Sequence, residues 1–369
     1  MVFKDTTLPT RERAHSVPLA RPFLNGREEE LVCEVLRSGR LAGGPMLERF
    51  EQAAAQALGV RHAVACASGA GTLKLAGLGA ALQPGDEILV SALAGPSALA
   101  ALRASGARPV LVDVRAGSLS IDPDAAAAAV TPRTRALVVS HTLGYPADMG
   151  SLSVLAAQHG LAMVEDAREA LGATIGGRPV GTLGHPAAFD FGVDRQVAIG
   201  DGGMLVTDDD ELVARWRGVC ARASTGAVAP QPMGAVAAAI GLAQLEKLPR
   251  MLAMRAHVAT YYAGLLHELD GVTLPFQGAA QRSWSSYVVE LDGAIDRDQV
   301  IEGLSAHGIE AAPSLVLAHA PAREREHGWL RGMFPVAERA AAHSVALPFY
   351  PHMSPGAQER VTTALHSLL

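Results

Sequence analysis

The sequence predicts an α/β protein with a mostly parallel sheet in a large first domain and a smaller α+β portion behind it. Short apolar runs alternate with helical patterns through the middle of the chain, as expected of a parallel sheet covered by helices. From about Ala237 that alternation gives way to long helical stretches, punctuated later by Pro313, Pro348 and Pro351. The expected division is residues 1–240 for the large domain with its N-terminal lead and 241–369 for the small one.

His62 to Cys66 reads as a buried strand feeding a turn, Ser68-Gly69-Ala70-Gly71-Thr72, that opens a helix from Leu73 to Leu82. Gln83-Pro84-Gly85-Asp86-Glu87 is a turn into the strand Ile88 to Val90. Further strands are expected at Pro109 to Asp113, Ala136 to Val139 and Ala162 to Asp166, with a helix from Leu152 to His159 between the last two. Gly202 to Thr207 is expected as an antiparallel strand in the same sheet. Helices follow at Ala237 to Gln244 and Met251 to Leu269, then the strand Ser286 to Leu291, the helix Arg297 to Ala306 and a terminal helix from Gly356 to Leu368.

Composition removes several classes. Hydrophobic residues make up 49% and aromatics only 4%, so the core is built from Ala, Leu and Val. A net charge of −6 without a Lys/Arg cluster argues against nucleic acid as a partner. Cys33, Cys66 and Cys220 have neither paired nor metal-ligand spacing, which fits a reduced, cytoplasmic setting, and no metal is expected. No apolar run is long enough to span a membrane, and the N-terminus lacks the apolar core of a secretion signal.

The segment Phe189-Asp190-Phe191-Gly192-Val193-Asp194-Arg195, followed by Gly200-Asp201-Gly202-Gly203 and a strand ending in Thr207, resembles the cofactor-lysine stretch of the DegT/DnrJ/StrS family of sugar aminotransferases. Pro84-Gly85-Asp86-Glu87, Gly144-Tyr145-Pro146-Ala147-Asp148-Met149, Val164-Glu165-Asp166-Ala167, Ala238 to Leu245 and Ala346-Leu347-Pro348-Phe349 are similar to that family in the same register. The resemblance covers nearly the whole chain. It implies a fold-type I aminotransferase-like architecture, usually a homodimer with its pocket at the subunit interface.

What the resemblance implies for the pocket is unusual. The family's lysine forms an imine with pyridoxal phosphate, and Arg195 stands at that place. A guanidinium stays protonated and has no free amine nucleophile. The only lysines are Lys4, Lys74 and Lys247, and Lys74 is expected on the surface of its helix. Asp166 matches the carboxylate that pairs with the pyridine nitrogen, although a strand-end Asp also caps helices. Ser68, Gly69 and Ala70 match the phosphate turn without its threonine hydroxyl. Gly95 stands for the aromatic that stacks on the cofactor ring, Asp190 for the phosphate serine, and Pro230-Gln231-Pro232-Met233 for the run that supplies the partner's Asn. Taken together, these departures predict that pyridoxal phosphate is absent.

The same changes bring ionisable groups. Asp190, Arg195, Asp166, Glu169 and His141 are the candidate catalytic residues. Ser68, Gly69, Ala70, Gly95, Arg168, Asp194 and His319 are the candidate ligand-binding residues. Buried charges are costly unless they pair or serve a ligand. A carboxylate beside a guanidinium supports acid–base chemistry or holds an anion; Asp190 and Arg195 could equally satisfy each other, and His141 and His319 could be packed histidines. Two functions remain open. One is a repurposed, cofactor-independent enzyme working by acid–base or addition–elimination chemistry on a natural-product intermediate, a sugar, cyclitol or related compound. The other is a non-catalytic partner of an active paralogue, so the chain is expected as a homodimer or such a heterodimer.

Overall fold

The computed structural model describes residues 16–79, 82–104, 106–184, 186–223, 231–274, 281–318 and 329–369. Two helices lead, α1 (Arg27–Ser38) and α2 (Pro45–Leu58), followed by β1 (His62–Cys66) and α3 (Gly69–Gly79). Then come β2 (Glu87–Ser91), α4 (Pro96–Arg103), β3 (Arg108–Val112), α5 (Pro123–Ala128), β4 (Thr134–Ser140), α6 (Met149–His159) and β5 (Ala162–Asp166). A small hairpin, β6 (Thr174–Ile175) with β7 (Arg178–Pro179), precedes β8 (Ala187–Asp190) and β9 (Gly203–Thr207).

These strands build a seven-stranded sheet in the order β1-β9-β8-β5-β4-β2-β3. β9 runs antiparallel to both its neighbours, while β8, β5, β4, β2 and β3 pair in parallel. The expected strands therefore stand, and the antiparallel one is where it was expected. Every residue of β2 and of β9 is buried, as both faces of the sheet are covered. The helix after β1 starts at Gly69, four residues before the expected Leu73, because the turn itself forms its first residues.

Helices α7 (Asp210–Ala223), α8 (Ala235–Glu246) and α9 (Leu248–Leu266) continue the chain. α8 packs Ala235, Ala238, Ala239, Leu242 and Ala243 into one core with Phe50 of α2 and Leu31 of α1. α9 serves two cores: Leu248 and Met251 join that cluster, while Val258, Ala259, Tyr262 and Leu266 join the C-terminal one. The C-terminal part adds β10 (Val272–Thr273), β11 (Tyr287–Leu291), α10 (Arg297–Ala306), β12 (Ala312–Pro313), α11 (Pro335–His343), β13 (Ser344–Leu347) and α12 (Pro355–His366). Its four strands form an antiparallel sheet in the order β10-β11-β13-β12. Among the described residues, no helix is long and apolar enough to cross a membrane.

Candidate functional site

A cleft of ≈ 740 Å³ opens at the carboxyl ends of β2, β4 and β5, where the loops of an open parallel sheet gather ligands. Gly95, Ser140, His141, Leu143, Asp166, Arg168, Glu169 and Arg195 line it, closed on one side by Ser314 to Val316 from the C-terminal part. Thus six of the expected site residues share one cavity: Gly95, His141, Asp166, Arg168, Glu169 and Arg195.

Asp166 ends β5 with its carboxylate 7% exposed. Arg168 grips it with both arms of the guanidinium, Nε donating to Oδ1 at 2.7 Å and Nη2 to Oδ2 at 2.9 Å. Burial pushes this carboxyl up, but the Arg168 charge and hydrogen bonds outweigh it and hold Asp166 below the usual range. Arg195 carries a second cluster. Its Nε donates to Asp190 Oδ2 at 2.8 Å, and its Nη1 lies 3.2 Å from Asp194 Oδ2 and 3.3 Å from Glu169 Oε1. Burial lowers the guanidinium's proton affinity, yet Glu169, Asp194 and Asp190 more than restore it, so Arg195 stays charged. Glu169 is further anchored, its Oε2 accepting from the Leu143 amide at 2.7 Å. Leu143 itself sits at φ 53°, a left-handed conformation that a leucine rarely takes.

His141 is placed in the cleft wall but has both ring nitrogens engaged. Nδ1 accepts from the Ala147 amide at 3.1 Å, so Nε2 carries the proton that faces Glu165 Oε2 at 2.9 Å. Glu165 also accepts from the amides of Gly181 and Leu183, each at 2.7 Å, and of Gly184. Burial raises this carboxyl, and His141 with those amides lowers it further still, so Glu165 is an anion. The packed-histidine alternative describes His141 best. Sequence reasoning quoted Glu165 only as part of a motif; a charged residue inside an apolar strand was the signal.

The Ser68-Gly69-Ala70 turn does not line this cleft. It meets Asp190 instead: a Cβ added at Gly69 would lie 2.0 Å from Asp190 Oδ1. The first turn of α3, the positive end of the helix, therefore has a carboxylate of the chain's own against it. Gly95 is open, with nothing within 4 Å of an added Cβ, so there is free space where the family's stacking aromatic would stand. Lys74, expected on the surface, is half-buried on α3. Gln231 to Met233 return to β1, where the Ala67 amide donates to Gln231 O at 2.9 Å. His319, Lys4 and Pro230 lie outside the described residues. Among the described residues, no group of three or more His, Cys, Asp or Glu is arranged to hold a metal ion. A second cavity, behind β8 between Phe50, Leu171, Phe189, Phe191 and Leu248, is almost wholly apolar and offers no chemistry.

The chain matches the model of the DegT/DnrJ/EryC1/StrS aminotransferase family over residues 23–366. It is 32% identical, over 383 residues, to the spore coat polysaccharide biosynthesis protein SpsC of Bacillus subtilis, covering 97% of this chain and 98% of that one. DesV of S. venezuelae, solved in complex with a ketimine intermediate, is similar at TM-score 0.85 and 33% identity over 95% of this chain and 98% of that one. Spr1654 of Streptococcus pneumoniae, described as a sugar aminotransferase and solved in its PMP-form, has a TM-score of 0.89 at 20% identity over 96% and 98% of the two chains; that likeness shows the fold. The fold is thus that of the fold-type I pyridoxal phosphate aminotransferases.

These relatives overturn one expectation. Absence of pyridoxal phosphate was inferred from Arg195 and its neighbours, but the family is one of aminotransferases and DesV was solved with a ketimine, so pyridoxal phosphate is the cofactor to which the chain's relatives point. The inference failed because it equated the missing amine with a missing cofactor. An imine to lysine is one way of holding the cofactor; charge and hydrogen bonds are another. The residues of the cleft fit the second way. Asp166, kept ionised by Arg168, is a buried anion of the kind a protonated ring nitrogen pairs with, and Arg195 is the cation whose most solvated carboxylate partner, Asp194, can give way to a ligand anion, while no lysine is among the cleft's lining residues.

Proposed function

The chain belongs to the DegT/DnrJ/EryC1/StrS aminotransferase family, and on that premise we propose that it holds a pyridoxal-type phosphate cofactor without a covalent bond and acts on a small sugar- or cyclitol-type biosynthetic intermediate. The observation that carries this reading is Arg195, in the cleft wall with three carboxylates around its guanidinium. It is a charged clamp where an amine nucleophile would otherwise be sought.

The cofactor, when bound, supplies an electron sink for a carbanion. The chain's own groups do the rest. Asp166 stays ionised and holds a proton on a ring nitrogen. Arg168 keeps Asp166 an anion, and Arg195 would bind anionic oxygens as the solvated Asp194 releases it. Glu169, on the cleft wall with its side chain 31% exposed, is the carboxylate best placed to move a proton, and Asp190 sets the guanidinium that faces it. His141 works from behind by fixing Glu165. We also infer a dimer, supported by the exposed apolar Leu24, Leu36 and Leu41 of the N-terminal lead and Val193 of the Arg195 loop.

The test is a titration of the purified chain with pyridoxal 5′-phosphate, followed by absorbance and by tryptophan fluorescence, with borohydride reduction and dialysis. Saturable binding that dialyses away, with no reduced adduct, is expected. A stoichiometric adduct at Lys74, or no saturable binding, overturns the reading. A second reading has its own support: Asp166, Asp190 and Glu169 are each already paired with an arginine of the same chain. A non-catalytic partner of an active paralogue would need no free group in the cleft. Activity that appears only on co-expression with a paralogue would favour it.

A further inference from the structure

Arg255 lies mid-helix in α9, is 4% exposed, and among the described residues has no carboxylate in ion-pair contact with its guanidinium. Its two Nη groups donate to four backbone carbonyls, while Nε is buried with no partner among the described residues. Nη1 donates to Trp284 O at 2.9 Å and Ser285 O at 3.2 Å; Nη2 donates to Arg195 O at 3.2 Å and Asp194 O at 3.5 Å. Its Cζ stands 5.5 Å from the Phe349 ring centre, a cation over an aromatic face. Burial, with a smaller push from the Arg195 charge and against the pull of Asp194, drives its pKa down to about 10, which leaves it charged at neutral pH.

We propose that Arg255 is a positioning residue for Arg195, acting through the backbone. A buried cation is expensive unless it is hydrogen-bonded, and here every recorded bond goes to one of two loops. One loop carries Asp194 and presents Arg195 to the cleft. The other, at 284–285, enters β11 of the C-terminal part and carries Trp284 at φ 54°, a backbone conformation unfavourable for a bulky residue. Gln196 ties the same two regions a second time: its Nε2 donates to Ser283 Oγ at 2.8 Å and to Glu169 O at 2.7 Å. Gly144 completes the join. A Cβ there would lie 2.8 Å from Ser283 Oγ and 3.0 Å from the Trp284 amide, so only glycine allows the 283–284 segment so close. The Arg195 guanidinium thus inherits its aim from α9, the helix that packs into both cores.

The proposal takes Arg195 as a cleft residue, as above, but its test does not require a ligand. Arg255→Met and Arg255→Lys would be compared with the full-length wild-type chain by hydrogen exchange of segment 192–199, with β4 as the internal standard. Arginine-labelled protein would report the Arg195 Nε–H resonance, held in the wild type by Asp190 and assigned by its loss in Arg195→Met. Expected is about tenfold faster exchange of 192–199 and of the Arg195 Nε–H in Arg255→Met, an intermediate effect in Arg255→Lys, and unchanged exchange in β4. Lysine keeps the charge but lacks the fork that spans both loops, so an intermediate value separates positioning from charge alone. If Arg255→Met does not fold, Arg255→Lys decides by the same comparison. Wild-type protection of both signals in the folded variants overturns the proposal. Failure of the wild type to bind pyridoxal phosphate would overturn the proposed function and leave this result standing.

Discussion

Replacing Arg195 by Met keeps most of the side-chain volume and strips the charge from the centre of a four-group cluster. The guanidinium is 18% exposed and Asp190 17%, so this pair is mostly shielded from water, whereas Glu169 at 31% and Asp194 at 50% are increasingly solvated. Breaking a fully buried pair costs about 3–5 kcal/mol, and an exposed one about 0–1. The Asp190 contact therefore dominates and Asp194 contributes little, which places the Arg195→Met penalty at about 2–4 kcal/mol. Asp190→Asn in the wild-type background should cost about 1–2 kcal/mol, the difference between a charge-assisted and a neutral hydrogen bond. In the Arg195→Met background the penalty should shrink towards zero: Asp190 has lost its cation and keeps only its place at the first turn of α3, so Asn at that position costs little. The assay is a double-mutant cycle on the thermal transition followed by tryptophan fluorescence, checked by circular dichroism. Equal Asp190→Asn penalties in both backgrounds would refute the idea that Arg195 and Asp190 act as one unit.

Other consequences are direct. Glu165→Gln removes the charge that three backbone amides and His141 share, and should lower stability by about 2–4 kcal/mol, read from the melting midpoint. Glu165 and Asp166 both sit below their ordinary values of 4.5 and 3.8 in the folded chain. Their stabilisation is therefore complete above those ordinary values and lost as pH falls through the lower folded ones. Midpoints measured from pH 7 downward should drop below about pH 4.5, and Glu165→Gln should flatten that drop. Gly69→Ala forces a methyl onto the Asp190 carboxylate and should cost about 1–3 kcal/mol, while Gly95→Ala, facing open space, should change stability by less than about 0.5 kcal/mol; melting curves of both check this. Static light scattering at micromolar concentration tests the dimer, and a monodisperse monomer would count against it.

The parallel core was legible because its strands announce themselves. His62 to Cys66 and Ala162 to Asp166 are short apolar runs bounded by turn residues, and the structure begins and ends both strands at those residues. Elsewhere the pattern blurred. α4 and α5 are runs of alanine broken by few polar residues, in which one helical face looks like another, and neither was anticipated. β8 was missed as a strand because only four residues, Ala-Ala-Phe-Asp, pair there, too few for a period to show. α9 crosses from one core to the other without a break in composition, so no local signal in the sequence marks which end belongs where.

The cleft was legible as a set of residues and illegible as a set of partners. Residue types at Asp166, Glu169, Asp190 and Arg195 announce a cluster of charge, since such groups are rarely buried by accident. Which carboxylate pairs with which guanidinium depends on side-chain directions at the ends of two neighbouring strands, β5 and β8, and these follow from sheet order rather than from sequence distance. Arg168 turns back onto Asp166, two residues away, which leaves Arg195 to gather Asp190, Asp194 and Glu169. That division matters chemically. Asp166 keeps a dedicated counter-ion and stays an anion, whereas Glu169 shares Arg195 with two competitors. A ligand anion arriving at Arg195 must displace one of these carboxylates, and the most solvated of them, Asp194, is the least costly to release. The Arg195 cluster is therefore the part of the cleft that can yield to a ligand, and the Asp166–Arg168 pair is the part that holds its shape while it does so.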